Sequence, residues 1–332
     1  MRASGLGVAG ALLAMLLGAT LARAEPLVIA HRGASGYLPE HTTEAQALAV
    51  GLGADFVELD LVLSRDGVPV VLHDLTLDAT TDVAEHFPGR ARADGRYYAI
   101  DFDRAELATL GVGERVDPKT GEAVFPGRFP LTSGGFGLPT LARTIDLVQG
   151  LEASTGRSIG LYVEIKRPGF HRDEGQDISR VVLEALAAAG YGGQGDGRLY
   201  LQGFDWAETR RIRDELGYKG PLVQLIGGND WADAAGSDYE ALLGDEGLLE
   251  LAGVVDGIGV PIGLVLDRAG ESPGLAERVT ARGLAVHAYT LRADRLPGWA
   301  ADMAELVASL EAVGVDGFFT DQPDLTRAAL GR

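Results

Sequence analysis

Glu58 and Asp60 alternate along the apolar run 56–63, so a strand there carries both carboxylates on one face. Two buried carboxylates are costly without compensation, and that face calls for a metal or a basic partner. Other apolar runs end in polar groups of the same kind. Run 27–30 closes on His31-Arg32-Gly33, run 69–72 on His73, and run 159–165 sets Glu164 and Lys166 on one face. Glu58, Asp60 and Glu164 offer only oxygen, the donor set of a hard cation such as Ca2+ or Mg2+. Zinc would favour nitrogen or sulfur, and the chain has no cysteine. His31 and His73 are suited to moving protons near neutral pH. Arg32 offers paired donors to phosphate oxygens and Lys166 a point charge. A metal, two cations and two imidazoles together describe a site for phosphoryl transfer. Taken singly, Glu-x-Asp on a strand is more often a salt-bridged pair, and a strand-end histidine is more often structural. The third carboxylate and the second histidine reverse that weighting. A P-loop, a Gly-rich dinucleotide fingerprint and a Gly-x-Ser-x-Gly elbow are all missing from the chain.

Strand ends converge in a barrel of alternating strands and helices, where active sites gather at the C-terminal face. Apolar runs at 27–30, 56–63, 69–72, 159–165, 199–204, 221–226, 255–260, 285–291 and 317–320 predict strands. Asp66-Gly67 between two of them signals a hairpin, so 69–72 returns antiparallel. With Asp66 and Gly67 as the central turn residues, Asp60 falls opposite His73. A slip of a residue or two keeps His73 beside the carboxylates. Eight strands remain, separated by helix-sized segments. The expected fold is a single α/β domain, a (β/α)8 TIM barrel with a β-hairpin replacing one helix.

Helix signals fill the gaps. Thr43 with Gln46 predicts a capping box ahead of a face made by Ala45, Leu48, Ala49 and Leu52. Thr140 caps a helix expected to reach about Gly150, and Asp205 with Glu208 opens another. Ile178, Val181, Val182, Ala185 and Ala189 make one helical stripe; Met303, Leu306, Val307, Leu310 and Val313 make a second. Ser272-Pro273 is read as a helix start with proline at the first helical position. Residues of about 78–138 break the rhythm, and stretches this long are usually functional or disordered. Their aromatics (Phe87, Tyr97, Tyr98, Phe102, Phe125, Phe129, Phe136) argue for an ordered insertion at the barrel mouth that shapes access. A solvated structural flap is the plainer alternative.

A chain of 332 residues, 46% of them hydrophobic, can bury the core of one large barrel. Residues 1–24 are set aside as a secretory signal peptide: Arg2, an apolar stretch over 6–21, then Ala22-Arg23-Ala24 ahead of the expected cleavage. An uncleaved anchor is the alternative. The mature chain would be 25–332, and no later stretch is long and apolar enough to span a bilayer. The absence of cysteine is compatible with an oxidising compartment. The formal charge of −19 becomes about −21 without Arg2 and Arg23, which disfavours nucleic acid and anionic membrane surfaces as partners. An anionic ligand would be repelled unless the site holds a cation.

The set His31-Arg32-Gly33, Glu58-Leu-Asp60, His73-Asp74, Glu164-Ile-Lys166, Gln202-Gly-Phe204-Asp205 and Asp316-Gly-Phe-Phe-Thr-Asp321 resembles the glycerophosphodiester phosphodiesterases, across essentially the whole mature chain. The string from His31 to His41, the segment 96–102 and Val286-His-Ala-Tyr-Thr-Leu-Arg292 are similar to the periplasmic, calcium-dependent subgroup. The resemblance implies hydrolysis of glycerophosphodiesters, such as glycerophosphocholine and glycerophosphoethanolamine, to sn-glycerol 3-phosphate and an alcohol. It implies His31 and His73 as general base and general acid. Glu58, Asp60 and Glu164 would hold Ca2+, with Mg2+ less favoured, and Arg32 and Lys166 would meet the phosphoryl oxygens. Gln202, Phe204 and Tyr289 would line the pocket. Gly203 stands where relatives often have a small hydroxyl or thiol residue. His287 and Tyr289 lie on a strand where many carry tryptophan. Two other readings stand beside this one: a TIM-barrel phosphodiesterase acting on intact phospholipid, and a non-catalytic periplasmic binding protein.

Overall fold

The computed structural model describes residues 25–131, 135–193 and 195–332; the expected leader, 1–24, lies outside them. Among the described residues eleven strands run in chain order: β1 (Leu27–Ala30), β2 (Phe56–Leu63), β3 (Pro69–Val71), β4 (Gly111–Val112), β5 (Phe136–Gly137), β6 (Gly160–Ile165), β7 (Leu199–Gly203), β8 (Leu222–Leu225), β9 (Gly257–Pro261), β10 (Ala285–Leu291) and β11 (Gly317–Thr320). Eight of them pair in parallel in the order β1-β11-β10-β9-β8-β7-β6-β2, and β1 pairs back onto β2 to close the ring. Helices follow the barrel strands at Thr43–Gly51, Leu141–Thr155, Ile178–Ala188, Trp206–Asp214, Asp245–Ala252, Leu275–Thr280, Met303–Ala312 and Pro323–Ala329. The β2–β3 hairpin and the insertion stand between β2 and the helix Leu141–Thr155, so this unit carries both a hairpin and a helix.

The period of two along each strand sorts its residues between two cores. In β2, Val57, Leu59, Leu61 and Leu63 face the helices, whereas Phe56 turns into the barrel. In β6, Leu161, Val163 and Ile165 face outward and Tyr162 inward. Tyr162 stacks on Tyr200 at 4.9 Å, with Phe56 and Phe319 edge-on, so the lower barrel is an aromatic plug. Rings of this size need small neighbours. A Cβ on Gly160 would stand 2.0 Å from the Phe56 ring, and one on Gly317 would stand 2.7 Å from the His287 ring.

His287 is buried in this plug, with Nδ1 2.8 Å from the Tyr162 hydroxyl. Burial pushes its imidazole from 6.5 down to about 4, against a weaker pull from Asp316. Between those values the unfolded chain takes up a proton that the folded chain refuses, so stability falls as pH falls. At ~1.4 kcal/mol per pH unit the loss reaches about 3 kcal/mol. Unfolding measured from pH 7 to pH 4 is expected to show a shallower decline in His287→Gln than in the wild type. Parallel declines would remove His287 as the cause.

Local details depart from several expectations. Thr42, not Thr43, caps the first helix by accepting from Ala45 N–H, and no capping box forms with Gln46. Gln46 is buried and turned inward, donating to the His41 carbonyl and accepting from Thr144. The buried face is therefore Ala45, Gln46, Ala49 and Val50, rotated from the expected one. The helix capped by Thr140 runs through Gly150 to Thr155 and stops at Gly156. The helix Leu275–Thr280 begins after Gly274, which leaves Pro273 outside it.

The hairpin pairs Leu61 with Val71 and Leu63 with Pro69, so Asp60 lies opposite Leu72, not His73. The loop holds three residues, closed by Gly67 at φ +76°, and the extra residue shifts the register by one.

The insertion has its own small core, in which Val62, Val70 and Leu72 of the hairpin meet Leu77, Val83, Phe102, Leu107 and Leu110. It holds short helices and the β4–β5 ribbon. Tyr98 stacks on Phe170 at 5.6 Å, and Phe125 lies under the guanidinium groups of Arg128, Arg292 and Arg295.

Candidate active site

β1 releases its chain through Arg32 and Gly33, at φ +57° and +80°. A Cβ at Gly33 would press within 2.8 Å of the Ala45 backbone, so glycine alone fits where the turn meets the first helix. This turn aims the Arg32 N–H at Glu58 Oε2, 2.7 Å away. Its guanidinium reaches Glu40 at 3.0 Å and Asp60 at 3.7 Å.

Register builds the acidic cluster. β2 and β6 pair Asp60 beside Glu164, and β6 and β7 pair Glu164 beside Gln202, so three polar groups form one row across neighbouring strands. Glu58 lies two residues back on the same face. Glu58, Asp60 and Glu164 are all buried, and each offers an oxygen within 4.8 Å of the others. Lys166 Nζ stands 2.8 Å from Glu164, 3.4 Å from Asp233 and 3.9 Å from Asp60. Burial and the negative charge of Asp60 push Glu58 well above the carboxylate range. Burial also raises Glu164 well above it, against the pull of Lys166. Burial would raise Asp60 too, but Lys166, His73 and His41 outweigh it and hold Asp60 well below. Two raised carboxyls beside an ionised one mark a cluster short of positive charge. The all-oxygen donor set and this deficit fit a hard divalent cation.

Each histidine has its own carboxylate. His31 Nδ1 is 2.7 Å from Asp321, and His73 Nδ1 is 2.7 Å from Asp74. Burial opposes ionisation of Asp321 and Asp74, but hydrogen bonds and cations hold both well below the usual range, so they only accept. Nδ1 therefore carries the proton in each ring, and Nε2 is left for chemistry. Burial, then Arg32, lowers His31 to about 4; burial, then Arg32 and Lys166, lowers His73 to about 4.

One cavity of about 470 Å3 is lined by all ten residues singled out in the sequence: His31, Arg32, Glu58, Asp60, His73, Glu164, Lys166, Gln202, Phe204 and Tyr289. Gln202 donates to Glu58 at 3.2 Å, and its Oε1 is buried without a partner. The Tyr289 hydroxyl donates to the Ile226 carbonyl, which sets its ring edge-on to Phe204 and Phe319. Trp231 and Asp233 also line the cavity without any signal in the sequence, and Arg292 does so at the end of a motif that gave it no role.

Further residues, given no role by the sequence, hold the lining in place. His41, at φ +65°, sets Nε2 2.8 Å from Asp60. Arg115 joins Glu40 to Asp74, and Asp321 accepts from both Arg128 and Arg292. Asp74 was signalled by standing next to His73, and Asp321 by closing a strand. Arg115 and Arg128 had no signal, because the insertion shows no periodicity.

Comparison with known proteins identifies the family. Residues 31–325 match the glycerophosphoryl diester phosphodiesterase family. A glycerophosphodiester phosphodiesterase of Haemophilus influenzae is 39% identical, covering 92% of this chain and 90% of its own. One of Treponema pallidum is 36% identical, covering 93% and 92%. A crystal structure of a putative glycerophosphoryl diester phosphodiesterase from Silicibacter pomeroyi aligns with TM-score 0.70 at 25% identity, covering 92% of this chain and 93% of that one. An Oleispira antarctica phosphodiesterase, solved with the product sn-glycerol-3-phosphate, shares the fold at TM-score 0.60 and 21% identity, covering 93% and 98%. A closed barrel whose strand ends gather an acidic triad, two Asp–His pairs and two cations, matched over nearly its full length, places the chain in the glycerophosphoryl diester phosphodiesterase family.

Proposed function

We propose that this glycerophosphodiester phosphodiesterase converts glycerophosphocholine, glycerophosphoethanolamine and related diesters, with water, to sn-glycerol 3-phosphate and the free alcohol, using a bound Ca2+ and the two histidines. The convergence of three carboxylates, two cations and two Asp–His pairs on one cavity carries this reading. Glu58, Asp60 and Glu164 would hold the ion, which supplies Lewis-acid charge at a phosphoryl oxygen. Arg32 and Lys166 bind the remaining phosphoryl charge. His31 Nε2 takes the proton of the attacking hydroxyl, and His73 Nε2 gives a proton to the departing alcohol oxygen as its bond to phosphorus breaks. Gln202 Oε1 is an acceptor for a glycerol hydroxyl, and Phe204 and Tyr289 pack against the carbon chain and exclude water.

We further propose export to the periplasm by a signal peptide cleaved after Ala24. The described residues contain no helix long and apolar enough to cross a membrane. The test is release of glycerol 3-phosphate from glycerophosphocholine by the mature protein, beside intact phosphatidylcholine. Turnover confined to the deacylated diester is expected. Faster turnover of intact lipid would replace this reading with a phospholipase.

A further inference from the structure

We infer that Arg115, on the insertion, is a positioning residue that holds the proton-delivering His73 in register with the phosphate-binding Arg32. Arg115 is half-buried against two acidic groups at once. Its Nε and Nη2 meet Glu40 at 2.8 and 2.6 Å, a bidentate pair, and Nη1 meets Asp74 at 2.7 Å. Each of those carboxylates holds one reactive side chain: Asp74 binds His73 Nδ1 at 2.7 Å, and Glu40 binds Arg32 Nη1 at 3.0 Å. A planar guanidinium spans two carboxylates with fixed geometry, which an ammonium cannot do.

The segment carrying Arg115 is itself pinned. Gly113 N–H donates to the Thr80 carbonyl and Val116 N–H to that of Ala79, both at 2.9 Å, so the backbone on either side is fixed to the start of the insertion. The insertion thus joins the carboxylate that holds His73 to the one that holds Arg32. Without Arg115, Asp74 keeps His73 as its partner but loses the anchor that fixes its own rotamer. His73 Nε2 would then sample orientations away from the departing oxygen. Glu40 would still pair with Arg32, so substrate binding is affected less than proton delivery.

This inference rests on His73 being the general acid, and the test separates the two claims. Wild type, Arg115→Ala and His73→Ala are compared on glycerophosphocholine and on the p-nitrophenyl ester of glycerol 3-phosphate, whose phenolate departs without a proton. In Arg115→Ala, kcat for the choline ester is expected to fall about 100-fold and that for the nitrophenyl ester less than about tenfold, with KM nearly unchanged. Added guanidinium ion should recover part of the choline-ester rate. His73→Ala should show the same selectivity more strongly. Equal losses on both esters in Arg115→Ala, with selective losses in His73→Ala, would make Arg115 merely structural and overturn the inference. Equal losses in His73→Ala would remove the acid role of His73 and the inference with it. Should Arg115→Ala not fold, because Glu40 and Asp74 lose the cation they share, Arg115→Lys is read by the same two esters.

Discussion

His31→Ala is expected to lower kcat for glycerophosphocholine by about 10²- to 10⁴-fold, the usual contribution of a positioned proton acceptor. The fold should survive the change. The imidazole lies on the cavity wall, and its one polar side-chain partner, Asp321, keeps the guanidinium groups of Arg128 and Arg292 when the ring is gone. No buried carboxylate is left without a cation, so the thermal midpoint should stay close to that of the wild type. Steady-state rates and a melting curve on the same preparation check both halves. A kcat within tenfold of wild type would remove His31 from the proton transfer, and a collapsed melting curve would make the rate loss uninterpretable as chemistry.

The second large effect concerns the acidic cluster and has two signs. Chelation by EDTA is expected to abolish turnover, with Ca2+ restoring it better than Mg2+. Binding of the ion should also stabilise the fold, by about 2.7 kcal/mol at one hundred times its Kd. Glu164→Gln should erase that gain along with the activity. In chelator, however, the same variant should be more stable than wild type. Glu164 is raised well above the carboxylate range because burial and the charge of Asp60 disfavour its ionised form. A neutral amide keeps an acceptor for Lys166 and removes that repulsion. Melting curves with and without Ca2+ read both signs. A variant destabilised equally in both conditions would mean that Glu164 is a structural partner of Lys166 and not a ligand.

Much of this arrangement was legible in the sequence because two kinds of periodicity are strong there. Strand alternation put Glu58 with Asp60 and Glu164 with Lys166, whereas the register that sets Asp60 beside Glu164 comes from the parallel pairing of the folded sheet. The hairpin signal of Asp66-Gly67 was also right in kind. It erred by one residue because a three-residue loop replaced the two-residue one, and turn length sets register. What stayed hidden has no period. His41, Glu40 and Arg115 lie in loops, and their value comes from contacts across 19, 8 and 41 residues of chain. The Thr42 cap shows a smaller loss: two adjacent threonines can each cap, and the inward turn of Gln46 toward His41 and Thr144 settles the choice.

The two Asp–His pairs differ in one respect that bears on the life of the chain during synthesis. His73 takes its carboxylate from the very next residue, whereas His31 waits for Asp321, 290 positions later and just past the final strand. A ribosome-bound or prematurely ended chain can therefore assemble one pair and not the other. β11 lies between β1 and β10, so closing the barrel and bringing Asp321 to the first histidine are one event.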